Sequence, residues 1–145
     1  MSGTWVLDCG ALSAYLRLDK KMTARLGIAQ EDDVRVVVSP ATIVEADHES
    51  VHPARLDWVL SRLVVLPVTR EVARSAVHLL RATGLHGHTY AIDSMVVATA
   101  LSVPDKPATI LTSDPGDISV LLGDRRNRKS GGSPADLFSV RVVAV

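Results

Sequence analysis

Residues 109–117 read TILTSDPGD. Ile110 and Leu111 run straight into two acids three positions apart, Asp114 and Asp117. The chain's start does the same: in WVLDCGALSAYL, residues 5–16, Val6 and Leu7 run into Asp8. A short apolar run bounded by turn chemistry reads as a buried strand. Here each run delivers a carboxylate at its end, and a helical pattern follows. The question is whether these acids cap helices or hold a metal.

Working outward, short β-rich runs alternate with longer helical stretches. TWVLD (4–8), VRVVVS (34–39), VVLPV (64–68), ATILTS (108–113) and FSVRVVAV (138–145) read as strands. GALSAYLRLDKK (10–21) has apolar residues at helical spacing, and residues 22–31 continue as a second short helix. Ser39 and Pro40 open a third helix over 39–49, as N-cap and first helical residue. PARLDWVLSRL (53–63) places Leu56, Val59, Leu60 and Leu63 on one face. TREVARSAVHLLRATG (69–84) is capped by Thr69 and stopped by Gly84, with Val72, Ala73, Ala76, Val77 and Leu80 as its apolar stripe. HGH (86–88) reads as a solvated turn, YAIDSMVVATALSV (90–103) as a buried helix and GDISVLLG (116–123) as a short one.

Short apolar strands separated by helices imply parallel β-α-β units. About five strands then give an α/β fold, a mainly parallel sheet with helices on both faces. In such sheets ligands bind beyond the carboxyl ends of the strands. Asp8, Asp114 and Asp117 are expected on that rim.

The chain has 145 residues, 47% of them apolar and 22% charged, which fits one domain over 1–145 with an adequate core. The one cysteine, Cys9, allows no intrachain disulfide and fits a reducing cytoplasm. No run approaches the ~18 consecutive apolar residues of a membrane span, and the N-terminus lacks the pattern of a signal peptide. A net charge of zero argues against a general polyanion-coating protein. Scarce aromatics argue against a base-stacking platform. The densest basic cluster is Arg125, Arg126, Arg128 and Lys129, in the loop-like GDRRNRKSGGSP (123–134).

Capping alone explains Asp8 and Asp114, and a place in a first helical turn explains Asp117. Glu45, inside ATIVEADH, and Asp93, inside YAIDSMVVATAL, are harder to explain that way. A carboxylate buried unpaired in an apolar segment costs several kcal/mol, and few basic residues lie nearby in sequence. A divalent cation would partner both. Hard oxygen ligands from dispersed positions suit Mg²⁺ or Mn²⁺, whereas Cys and His at zinc spacing are missing. The motifs of phosphate-binding and serine-nucleophile enzymes are absent. A receiver-type acidic pocket lacks its Asp after the third strand and its Lys after the fifth, and a haloacid-dehalogenase-like site lacks its second Asp.

The ordered set VLDCGALSAYL, SPATIVEADHE, LPVTREVARSAVHLLRATGL, AIDSMVVATAL and ILTSDPGDI resembles the PIN-domain family, specifically its VapC-like toxins, over nearly the whole chain. The family's acids fall on Asp8, Glu45, Asp93 and Asp114, with Asp117 as a further acid. The resemblance implies an α/β/α sandwich and cleavage of an RNA substrate dependent on Mg²⁺ or Mn²⁺. It also implies a homodimer and a cognate small antitoxin. On that basis Asp8, Asp93, Asp114 and Asp117 are the expected metal ligands, and Asp8, Glu45, Asp93 and Asp114 the catalytic set. The alternative is a non-catalytic PIN-like binding module whose acids serve folding or docking.

Overall fold

A computed structural model of the chain describes residues 3–48, 50–123 and 140–145. The basic cluster at 125–129 and the first two residues of the expected last strand lie outside them. The elements run β1 (Thr4–Leu7), α1 (Cys9–Leu16), α2 (Lys20–Glu31), β2 (Arg35–Val38), α3 (Pro40–Ala46), α4 (Pro53–Ser61), β3 (Val64–Val65), α5 (Arg70–Thr83), α6 (Gly87–Ser102), β4 (Ala108–Thr112), α7 (Pro115–Leu122) and β5 (Val140–Ala144).

All strand pairings are parallel, in the order β3-β2-β1-β4-β5. Register explains why the sheet is apolar on both sides. Val6 pairs with Val37 and Ile110, and Leu7 with Val38 and Leu111. Successive strand residues point to opposite faces. Val6, Val37 and Ile110 therefore enter one core, which holds Val72, Leu79, Val96 and Ile118 from α5, α6 and α7. Leu7, Val38 and Leu111 enter the other, which holds Leu12, Tyr15, Met22 and Val59 from α1, α2 and α4. The result is a three-layer α/β/α sandwich, as the strand–helix alternation predicts.

The departures from expectation have local causes. The stretch 10–21 is not one helix. Leu18 adopts φ 54, and the Asp19 carboxylate accepts from Met22 N at 3.0 Å, capping a new helix. A side chain that bonds nearby backbone competes with helix continuation. The segment expected as a turn at 86–88 instead opens α6, with His86 at the N-cap position and without a side-chain cap bond. The buried part of α6 begins at Ser94, and its first turn, with Gly87, His88 and Thr89, is exposed.

The apolar stripe of α5 is rotated from the expected one. Val72, Ala76 and Leu79 are buried, Leu80 is half-buried, and Ala73 and Val77 face solvent. Val77 is 47% exposed and Leu79 only 1%. Truncating Leu79 to Ala therefore removes packed core and should cost about 2–5 kcal/mol. Truncating Val77 should change stability by no more than about 0.5 kcal/mol. Urea unfolding of the two variants measures both; equal losses would place the stripe where periodicity alone puts it.

Candidate active site

In the order β3-β2-β1-β4-β5, connections from β1 run one way and those through β4 the other. The crevice between β1 and β4, at their carboxyl ends, is the switch point where such sheets bind ligands. Asp8 leaves β1 there, and Asp114 follows β4 by two residues.

Both acids cap helices. Asp8 Oδ1 accepts from Ala11 N at 2.9 Å, at the start of α1. Asp114 Oδ1 accepts from Asp117 N at 3.3 Å, at the start of α7, with Pro115 in the first turn. Capping does not exhaust Asp8, which is 4% exposed. Its Oδ2 accepts a short hydrogen bond from the Thr112 hydroxyl and another from Ser113 N at 3.3 Å. Thr112 Oγ1 in turn accepts from Asp114 N at 2.9 Å. One hydroxyl thus connects the two acids across the switch point.

Gly10 makes this approach possible. A Cβ built there would lie 2.0 Å from Ser113 Oγ and 2.4 Å from Ser113 Cβ. Only a residue without a side chain lets the first turn of α1 lie against the end of β4. The sequence gives no sign of this constraint beyond a glycine two positions after an acid.

Asp93 enters from the middle of α6, half-buried beneath the rim. Burial first, and then the charges of Glu45, Asp8, Asp117 and Asp114, push its carboxyl up from 3.8 to about 6. The other four acids thus lie near enough for their charges to act on Asp93. Asp117 is raised as well, first by loss of solvent and then by its hydrogen bond with Asp114 and that residue's charge. Cys9 is held as a neutral thiol, raised to about 11 chiefly by burial and next by the Glu45 charge. It sits in the acid cluster half-exposed, without the imidazole neighbour a nucleophile needs.

Glu45 differs from expectation. It is exposed on the last turn of α3, and its neighbour Val44 is 78% exposed, so it is not a buried charge. α3 packs on α1 and α6 through its opposite face, where Thr42 and Ala46 are buried. The Thr42 hydroxyl there has no hydrogen-bond partner among the described residues.

The donor set is of the chemical type a hard divalent ion takes: carboxylates from α3, α6 and the ends of β1 and β4, with Asp93 raised by the charges of the others and no basic side chain among the causes. As the side chains stand, no three His, Cys, Asp or Glu groups among the described residues close on a single point as an ion's ligands would. Asp8 and Asp114 hold their protein hydrogen bonds instead.

No protein-family model matches the chain, and no curated protein matches it. Among solved structures it is similar to a chain of VapBC2 from Rickettsia felis, crystallised bound to a DNA fragment from its promoter. The TM-score is 0.60 at 12% identity, over 98% of this chain and 98% of that one. The likeness is one of fold, and the architecture is PIN-like.

Two outcomes are expected. The Asp93 carboxyl binds its proton more tightly folded than unfolded, so this group's contribution to stability declines as pH rises from about 3.8 to about 6, and the loss is complete above that. Without divalent ions, Asp93→Asn should therefore melt higher than the parent near neutrality, and the difference should shrink toward about pH 4 in parallel thermal melts. A variant that melts lower at neutral pH would contradict the crowding. Separately, Gly10→Ala should cost about 1–3 kcal/mol in urea unfolding, and adding Ser113→Gly should recover most of it. Additive losses would show that the two residues do not collide.

Proposed function

We propose that this protein is a divalent-metal-dependent endoribonuclease, the toxin of a toxin–antitoxin pair. The observation that carries the reading is Asp93, half-buried on α6 and raised to about 6 first by burial and then by the charges of Glu45, Asp8, Asp117 and Asp114. The PIN-like fold and the order of the acid motifs support it.

Asp8, Asp93 and Asp114 would hold Mg²⁺ or Mn²⁺, with Asp117 binding directly or through water. Such an ion supplies charge neutralisation at the scissile phosphate and lowers the pKa of a water. The chain's residues do the rest. The Thr112 hydroxyl and Ser113 N–H donate to Asp8 Oδ2, which holds that carboxylate in its orientation. Asp114 is held through Thr112 Oγ1 and by its own cap bond. Glu45, which is exposed, would accept a proton from or orient the attacking water. In-line attack would release the 3′ oxygen and leave a 5′-phosphate.

The neighbouring fold belongs to a VapBC2 assembly on promoter DNA. By analogy this chain would pair with a small antitoxin, form a homodimer and act in the cytoplasm. Among the described residues no helix is long and apolar enough to cross a membrane.

A second reading has its own observation: both Asp8 oxygens already accept protein hydrogen bonds, as the acids of a non-catalytic binding module would. One experiment separates them. The purified chain, incubated with a mixed RNA pool, should cut in Mn²⁺ and not in EDTA. Asp93→Asn should lower the rate by about two orders of magnitude or more, while melting no lower than the parent without metal. Asp93 is the better probe, because an amide at position 8 would turn a donor toward Ser113 N–H or Ala11 N–H and disturb the fold. Absence of Mn²⁺-dependent cleavage in the parent would favour the binding module.

A further inference from the structure

A nuclease whose centre holds five carboxylates repels the polyanion it must cut. The chain's net charge is zero, so any attraction has to be local. One cleft of about 530 Å³ begins where the acid site ends. Gly10 and Ser113 line its inner edge, and Ser113 N is the group that donates to Asp8 Oδ2. Its outer wall carries Arg17, Lys21 and Arg25, with Ser13 between.

The three cations have separate origins and one direction. Arg17 is the C-cap of α1. Lys21 and Arg25 are four residues apart on α2, just over one helical turn or about 6 Å along the axis. The acid in the same wall, Asp19, already accepts from Met22 N and caps α2, so its charge faces that helix's N-terminus. Arg25 Nη1 donates to Ala144 O at 3.3 Å, which fixes its stem against the end of β5 and leaves the remaining guanidinium donors available. Among the described residues no aromatic ring lines the cleft, so none of them offers a face for base stacking. A groove with cations and hydroxyls and no rings reads phosphates, independently of sequence.

We propose that the cleft walled by Arg17, Lys21 and Arg25 binds the phosphodiester backbone of single-stranded RNA beside the scissile bond. This rests on the nuclease reading of the acid site and adds to it the path the substrate strand takes: from the β1–β4 switch point, past Ser113, along the first two turns of α2. The cleft supplies affinity and the acid centre supplies chemistry, so the two separate experimentally.

The test uses the full chain in EDTA, where no cleavage occurs, and a fluorescein-labelled mixed-sequence RNA oligomer. Anisotropy titrations across a KCl series give the slope of log affinity against log salt. For single strands each neutralised phosphate contributes about 0.7 to that slope. Arg17→Gln with Lys21→Gln should therefore flatten it by about 1.4, and adding Arg25→Gln should bring the loss to about 2. Arg17→Lys with Lys21→Arg, which keeps the charge, should retain the parental slope. The double variant spares the Arg25–Ala144 contact, so it stays informative if the triple variant is unstable. If the parent binds RNA and the double variant keeps its slope, the cleft is not the backbone site, whereas the nuclease reading stands. A parent that binds no RNA in any salt overturns both. If the variants lose binding to poly-glutamate while RNA binding is unchanged, the surface docks an acidic protein segment and the proposal fails.

Discussion

The Asp8 carboxylate joins the two central strands of the sheet at the place where their connections diverge. One oxygen holds the first turn of α1, and the other takes the Thr112 hydroxyl and the Ser113 N–H at the end of β4. A buried carboxylate is tolerated only when such donors surround it. The donors reach it because Gly10 has no side chain to hold Ser113 away. Thr112 passes the link on to Asp114. The positions of Asp8 and Asp114 on the rim follow from this junction. The bonds that start α1 and α7 are those that bring the acids together.

That convergence opposes stability. Asp93 sits half-buried on α6 among four other carboxylates and holds its proton up to about 6. The positive ends of α1 and α7 offset part of the repulsion, as does the apolar packing of α6 through Val96, Val97 and Ala100. Sites that concentrate like charge are where a fold departs from its most stable sequence. A cation settling among these acids would relieve the same repulsion, which couples metal binding to folding. The cleft of Arg17, Lys21 and Arg25 complements this arrangement.

Much of this was legible in the sequence. The residue pairs Val6–Leu7, Val37–Val38 and Ile110–Leu111 are apolar without alternation, the signature of strands buried on both faces. Ser39, Thr69, Asp114 and Gly84 mark helix ends because capping is local chemistry, settled within three or four residues. The misread places are those where a distant contact decides. The side of α5 that is buried depends on the angle at which α6 packs on it, so Val77 is exposed and Leu79 is not. Whether Glu45 is buried depends on the face α3 turns to α1. The cations at 17, 21 and 25 have a visible four-residue spacing, but without β5 and Ser113 opposite them they read as an ordinary solvated face.

The sequence by itself determined the layered α/β architecture and the five candidate acids, because periodicity, β-branching and capping act over a few residues. Only the tertiary structure decided that Thr112 joins Asp8 to Asp114, that Gly10 lets Ser113 approach Asp8, and that a cleft with Arg17, Lys21 and Arg25 in its lining adjoins them. Those facts belong to β1 and β4, neighbours in the sheet a hundred residues apart in the chain. No local rule reaches across that separation. The order of the strands does, by making the end of one the wall of the other.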